Sequence, residues 1–183
     1  MICSRHPYRA LARASQHTLE LCFKAAHLFC IFYSLMQPDD TFNDLPSDVL
    51  KRIKELCKKG LEDKGKNDLD EAIYSWEQAI QLLPDPREEW GISCWLFANT
   101  GELYFQQKDY EASDEFFRWA ISSPGGIVDA HINMRLGQSC FKLGQIEEAL
   151  EFLFSAVAID PTVLDNEPAE YQELLSKHEP VAD

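Results

Sequence analysis

Gly60, Gly101 and Gly137 occupy one position of a unit that recurs three times along the chain. The same offsets bring Leu69, Tyr110 and Ile146 together, then Ala72, Ser113 and Ala149, then Trp76, Phe117 and Leu153, and last Ala79, Ala120 and Ala156. Small residues suit places where two helices cross closely, and a bulky residue between them suits the gap between neighbouring helical hairpins. No segment alternates apolar and polar residues for long enough to form a sheet, and glycine and proline fall mostly between the predicted helices. The recurrence therefore predicts an all-α chain of stacked hairpins.

The unit is about 34 residues long, the period of tetratricopeptide repeats, and the sequence resembles that family. The third unit, NMRLGQSCFKLGQIEEALEFLFSAVAIDP, carries Leu136, Gly137, Gly144, Ala149, Ala156, Asp160 and Pro161. The second, NTGELYFQQKDYEASDEFFRWAISSP, keeps Gly101, Tyr104, Asp109, Tyr110, Phe117 and Ala120 in register. The first keeps DLDEAIYSWEQAIQLLP in its second helix, but its first helix is degenerate, with Asp63 where the others have Tyr104 and Cys140. The resemblance implies a helical-hairpin solenoid of three units, at about 53–86, 94–127 and 130–163, inside a domain spanning 47–178.

Local signals set the expected boundaries. Ser47 is a candidate N-cap for a helix over 48–64, and Asp68 begins a second helix running to about Leu83. PDPREEWG then lengthens the connection, and the second and third hairpins are expected over 87–122 and 127–159. A last amphipathic helix at 167–178 caps the stack, with Tyr171, Leu174 and Leu175 against the final hairpin and Glu167, Glu170 and Glu173 facing water.

Residues 1–46 read as an extension outside this domain. Arg5, Arg9 and Arg13 precede the apolar run Leu28 to Tyr33 and imitate a secretory signal, but no small-residue cleavage site follows. Glu20, Lys24 and His27 interrupt a span that would need about 20 apolar residues to cross a bilayer. Met36 stands where the composition changes, and the native product is expected to begin there.

The chain's net charge of −14 is unevenly spread, since the first 36 residues hold Arg5, Arg9, Arg13 and Lys24 against only Glu20. An acidic body repels phosphate backbones, which argues against nucleic acid as a ligand and for a protein partner of basic character. Within that body Lys51, Arg52, Lys54, Lys58, Lys59, Lys64 and Lys66 form a basic island, read as a solvated helix face, with a docking surface for an acidic segment or head-to-tail self-association as the alternatives.

Nothing in the sequence composes an active site: there is no glycine-rich phosphate loop, no HExxH, no GxSxG and no paired His/Cys nucleophile. Cys57, Cys94 and Cys140 recur one per unit as apolar-like thiols suited to a reducing cytoplasm. Cys22, His27 and Cys30 lack a fourth ligand at zinc-like spacing. The chain is accordingly read as a non-enzyme that needs no metal or cofactor.

Function then rests on the face formed by the first helices, which in this family lines a concave groove. Trp95, Asn99, Glu102, Phe105 and Gln106 of the second unit are expected beside His131, Arg135, Gln138, Phe141 and Lys142 of the third. Aromatics among amides and charges suit a bound peptide, although Trp95, Phe105 and Phe141 can equally pack inward. Chaperone adaptors of the family hold C-terminal carboxylates in a basic clamp. Asn99 and Arg135 match two clamp positions, but Cys57, Leu61 and His131 stand where lysine, asparagine and lysine would be needed, which sets that ligand aside. The leading expectation is a cytoplasmic adaptor that binds a protein or peptide partner through the groove. The alternative is an acidic immunity protein that neutralises a basic toxin.

Overall fold

The computed structural model describes residues 45–178, which lie within a compact unit spanning Thr41–Asp183. The expected extension over 1–46, the Met36 start and the signal-like segment lie almost wholly outside the described residues. Helices α1 (Ser47–Gly65), α2 (Leu69–Gln81), α3 (Ser93–Gln107), α4 (Tyr110–Ser122), α5 (Ala130–Lys142), α6 (Ile146–Ile159) and α7 (Ala169–His178) follow in order, with no strand among the described residues. Short 3-10 turns at Arg87–Glu89 and Gly126–Val128 lie in the connections between hairpins. No helix among the described residues is long and apolar enough to cross a membrane.

Helix starts follow capping chemistry with one correction. Asp68, Asp109 and Asp129 cap α2, α4 and α5, each carboxylate accepting from backbone N–H groups of the first turn. Ser47, expected as a cap, is instead the first residue of α1. Pro46 precedes it, and the Pro46 carbonyl accepts from Leu50 N at 2.9 Å, so the helix begins without a side-chain cap. The PDPREEWG connection is also longer than expected. Trp90 Nε1 donates to the Pro84 carbonyl at 2.8 Å and the Ser93 hydroxyl to the Arg87 carbonyl, so α3 begins at Ser93 rather than near 87.

The turn inside each hairpin is one structure built three times. Asn67, Lys108 and Gly144 occupy the same repeat position, and all have positive φ, at 62°, 65° and 78°. The residue after each donates its N–H back to the helix: Asp68 to Asp63 O, Asp109 to Tyr104 O and Gln145 to Cys140 O, at 2.9–3.0 Å. Such left-handed termini favour glycine, so Gly144 fits without strain while Lys108 holds the conformation at a steric cost.

Packing corrects the role expected of the bulky repeat residue. Trp76, Phe117 and Leu153 lie over the glycine of their own hairpin, not in the gap between hairpins. A Cβ on Gly60 would meet Trp76 Nε1 at 2.2 Å, one on Gly101 the Phe117 ring at 3.1 Å, and one on Gly137 Leu153 Cγ at 2.8 Å. Each large side chain thus uses the space that glycine leaves, and all three are fully buried. Successive hairpins join where α2 packs on α3 and α4 on α5, while α3 also touches α5. The Ser113 and Ser139 hydroxyls bond at 3.0 Å across the second junction. Helix α7 closes the last hairpin against α6, burying Tyr171, Leu174 and Leu175.

Ala149 and Ala156 of α6 are both fully buried, Ala149 with its carbonyl beside Gly137. Replacing either with leucine is expected to overpack the third hairpin and cost about 1–3 kcal/mol. Urea midpoints that stay unchanged in both variants would contradict this packing.

Asp63, the odd residue of the degenerate first unit, is buried but locally neutralised. Lys66 Nζ reaches it at 2.8 Å and Lys59 Nζ at 3.1 Å, and these two ammonium groups hold its carboxyl below the usual range. Part of the basic island is therefore structural. Lys59 bridges onward to Glu71 and Ser75 of α2, and so ties the two helices of the hairpin together.

Candidate functional site

The first helices α1, α3 and α5 present equivalent positions in one row, because the glycine register repeats. The ten residues singled out from the sequence divide here into a buried backing and a reachable front. Trp95 and Asn99 are each only 8% exposed. Trp95 meets Trp76 edge to face at 5.7 Å, and Asn99 Nδ2 donates to the Trp95 carbonyl at 2.9 Å. Trp95 thus packs inward between the first two hairpins, the second of the two arrangements open to it. Gln138 is fully buried, whereas Phe105 and Phe141 are half-buried and Gln106, His131 and Lys142 are exposed.

At the centre of the row is a charge cluster. Arg135 Nε donates to Glu102 Oε2 at 2.8 Å, and Arg135 Nη1 donates to Gln138 Oε1 at 2.6 Å and Glu167 Oε2 at 3.0 Å. Gln138 Nε2 also donates to Glu167 Oε2 at 3.2 Å, and His131 Nε2 lies 3.4 Å from Glu102. The guanidinium lies 4.8 Å from the Phe105 ring centroid, a cation–π distance. The Arg135, Glu102 and Glu167 side chains are 11%, 17% and 15% exposed, so the pairs are poorly screened. Burial alone would raise the Glu102 pKa. His131 and Arg135 outweigh it and hold the carboxyl well below its ordinary value. Burial likewise opposes the charge on Arg135, but Glu102 and Glu167 raise its pKa above the usual value.

This cluster corrects the expectation that Glu167 faces water. The segment between α6 and α7 turns Glu167 back onto Arg135, while Glu170 takes Lys142 at 2.5 Å and Tyr171 meets Phe141 edge-on at 5.5 Å. Amphipathic spacing could not reveal this, because Glu167 lies before α7 in a turn rather than on its polar face. Two carboxylates of the chain itself saturate the arginine that matched a clamp position.

The sequence reading compared only Cys57 and Leu61 of the first unit with clamp positions and kept the α1 lysines apart as a basic island. Counting from Gly60 as from Gly101 and Gly137 places Lys54, Lys58, Leu61 and Lys64 at the positions of Trp95, Asn99, Glu102 and Phe105. Lys54 and Lys64 are half-buried and have no carboxylate partner among the described residues, whereas Lys58 lies 3.9 Å from Glu62. Lys64 Nζ stands 5.8 Å from the Trp76 ring centroid. The Trp95 indole N–H is buried with no acceptor.

None of the three thiols among the described residues is activated. Burial pushes Cys57 and Cys140 up to about 12 and Cys94 up to about 11, so all three stay protonated at neutral pH.

A family model described as tetratricopeptide repeat matches residues 130–163. No curated protein matches the chain in sequence. Several solved structures share its fold. The C-terminal TPR-containing domain of a Plasmodium falciparum FK506-binding protein is 19% identical with a TM-score of 0.59, covering 74% of this chain and 92% of its own. The first TPR of Spaghetti, solved with the HSP90 peptide SRMEEVD, is 20% identical with a TM-score of 0.54, covering 69% and 90%. The second TPR domain of human RPAP3, solved with the HSP70 peptide SGPTIEEVD, is 19% identical with a TM-score of 0.55, covering 70% and 96%. The chain thus carries one directly matched tetratricopeptide repeat over 130–163, in a fold that builds the same helical hairpin twice before it and is shared with these domains.

Proposed function

We propose that the chain is a non-enzymatic adaptor that holds a peptide segment of a protein partner along the row formed by α1, α3 and α5. The observation that carries this reading is the composition of the front of that row. Phe105 and Phe141 are half-buried aromatic faces held from behind by Tyr110 and Tyr171, with Gln106, His131 and Lys142 exposed beside them. Fixed aromatics offer contact area at little entropic cost, and neighbouring polar groups satisfy a peptide backbone. Two of the similar domains were solved with peptides bound, which supports a peptide as the occupant.

Arg135 serves in this reading as support rather than as a contact for the ligand. Its donors are directed at Glu102, Glu167 and Gln138, so it shapes the groove floor and supports Phe105. With that arginine neutralised, and Cys57, Leu61 and His131 at the other clamp positions, a C-terminal carboxylate has no clamp to enter.

Truncating Phe105 or Phe141 to alanine is expected to weaken partner binding by at least about 2 kcal/mol, roughly thirtyfold, with helicity retained. The partner is captured from the native source, and its affinity for each variant is measured by calorimetry. Full affinity in both variants would remove the groove from the account. The rival reading, an acidic inhibitor, draws on Glu147, Glu148 and Glu151, which lie on α6 in the row of second helices. On that reading, charge-neutral variants of these three residues lower the association rate, while Phe105 and Phe141 are without effect.

A further inference from the structure

We infer that the α1 end of the groove recognises an acidic segment of the partner through its side-chain carboxylates, with Lys54 and Lys64 as the receiving cations. The inference rests on the groove reading above and names the chemistry of its ligand. It runs against the net charge of the chain, which taken alone points to a basic partner. Screening limits surface electrostatics to about 8–10 Å, so a ligand in the groove responds to the charges that line it, not to the sum over 183 residues.

The charges lining the row are distributed unequally. At the α3 and α5 end the carboxylates are already engaged: Glu102 by Arg135 and His131, Glu167 by Arg135 and Gln138, and Glu170 by Lys142. At the α1 end the register places three lysines, and two of them, Lys54 and Lys64, are without a carboxylate partner among the described residues. Arg52 and Lys59 on the same helix and Lys66 just beyond it contact carboxylates, while Lys51, also without a carboxylate partner among the described residues, lies outside the groove register. Lys64 is also confined: its ammonium stands over Trp76, and burial lowers its pKa, with only the more distant Glu102 opposing. An ammonium in that position gains from an added carboxylate more than an exposed lysine does.

The ring on which Lys64 rests is itself fixed, since Trp95 meets Trp76 edge to face at 5.7 Å. An acidic ligand complements the Lys64 ammonium, and a cationic ligand is repelled by it.

The test uses the full chain and two labelled peptides with both ends blocked, one alternating glutamate with leucine and phenylalanine, the other with lysine in place of glutamate. Blocking the ends removes any terminal carboxylate. Fluorescence anisotropy is expected to show the glutamate probe binding at least about tenfold tighter than the lysine probe. Lys54→Gln and Lys64→Gln together should weaken it at least about tenfold, while Lys51→Gln, exposed on the same helix but outside the groove register, should not. Lys54→Gln alone, remote from Trp76, serves where the double variant loses helicity. Equal or tighter binding of the lysine probe, no binding of the glutamate probe, or indifference to both lysines overturns the inference. Lysine-probe binding that depends on Phe105 and Phe141 overturns the acidic partner but keeps the groove. Glutamate-probe binding indifferent to those aromatics removes the groove itself.

Discussion

Replacing Trp76 with alanine is expected to destabilise the fold by about 3–5 kcal/mol, a large share of the roughly 5–15 kcal/mol that a domain of this kind possesses. Trp76 is fully buried where α1, α2 and α3 meet. Its indole covers Gly60 so closely that even a methyl group there would collide with the ring, and its Nε1 donates to the Cys57 carbonyl at 3.2 Å. Trp95 packs against one edge, and the Lys64 side chain lies over the face. Truncation therefore removes transfer energy and opens a cavity at a junction that cannot collapse, because helical backbone forms one wall at Gly60. The measurement is urea denaturation, with a lowered midpoint at unchanged m-value. A loss below about 1 kcal/mol would mean that the first hairpin is not closed by this ring.

Arg135→Met is the second large effect, about 3–5 kcal/mol, because it leaves two mostly buried carboxylates facing one another without their cation. Its sign with pH is distinctive. In the parent chain the Glu102 pKa is held below its unfolded value, so its contribution is present above about pH 4 and is lost as pH falls through the depressed folded value. Without Arg135 only His131 is left to hold it down, and protonating Glu102 relieves its repulsion with Glu167. The stability gap between parent and variant should therefore narrow as pH falls through about 4. A gap that is constant across that range would show that Arg135 acts through packing alone. Recovery of stability on adding Glu167→Gln to the variant would assign the effect to the uncompensated carboxylate pair.

How much of this could be read from the sequence depends on what each feature is made of. The hairpins were legible because glycine under a bulky residue and alanine at helix crossings are requirements that fix residue type. Of the aspartate caps only Asp68 was legible, as the expected start of the second helix, while Ser47 was taken for a cap that it is not. The common turn was not, because Asn67, Lys108 and Gly144 share a conformation but no chemistry. Gly144 fits it freely, and the geometry of the hairpin imposes it on Lys108. The place of Trp76 inside its own hairpin required knowing which face of the second helix meets Gly60. The ten residues expected to line a groove lie on α3 and α5, yet their division into backing and front depends on crossings that spacing does not specify.

Glu167 shows the same limit at longer range. Its partner Arg135 lies in another helix, and a turn between α6 and α7 brings them together. The lysines of the first unit were visible as a basic island, but their place in the row was not read. Asp63 made that helix look degenerate, although Lys59 and Lys66 neutralise it locally and the register continues through it.

The central claim is that the row on α1, α3 and α5 is the binding surface, and backbone chemical-shift mapping tests it most directly. The full chain is titrated with the interacting segment of its captured partner. The account predicts the largest shifts at Lys64, Phe105, Gln106, His131, Phe141 and Lys142. Shifts confined to Glu147, Glu148 and Glu151 on α6, with those six residues unmoved, would contradict it and place the interaction on the acidic outer row.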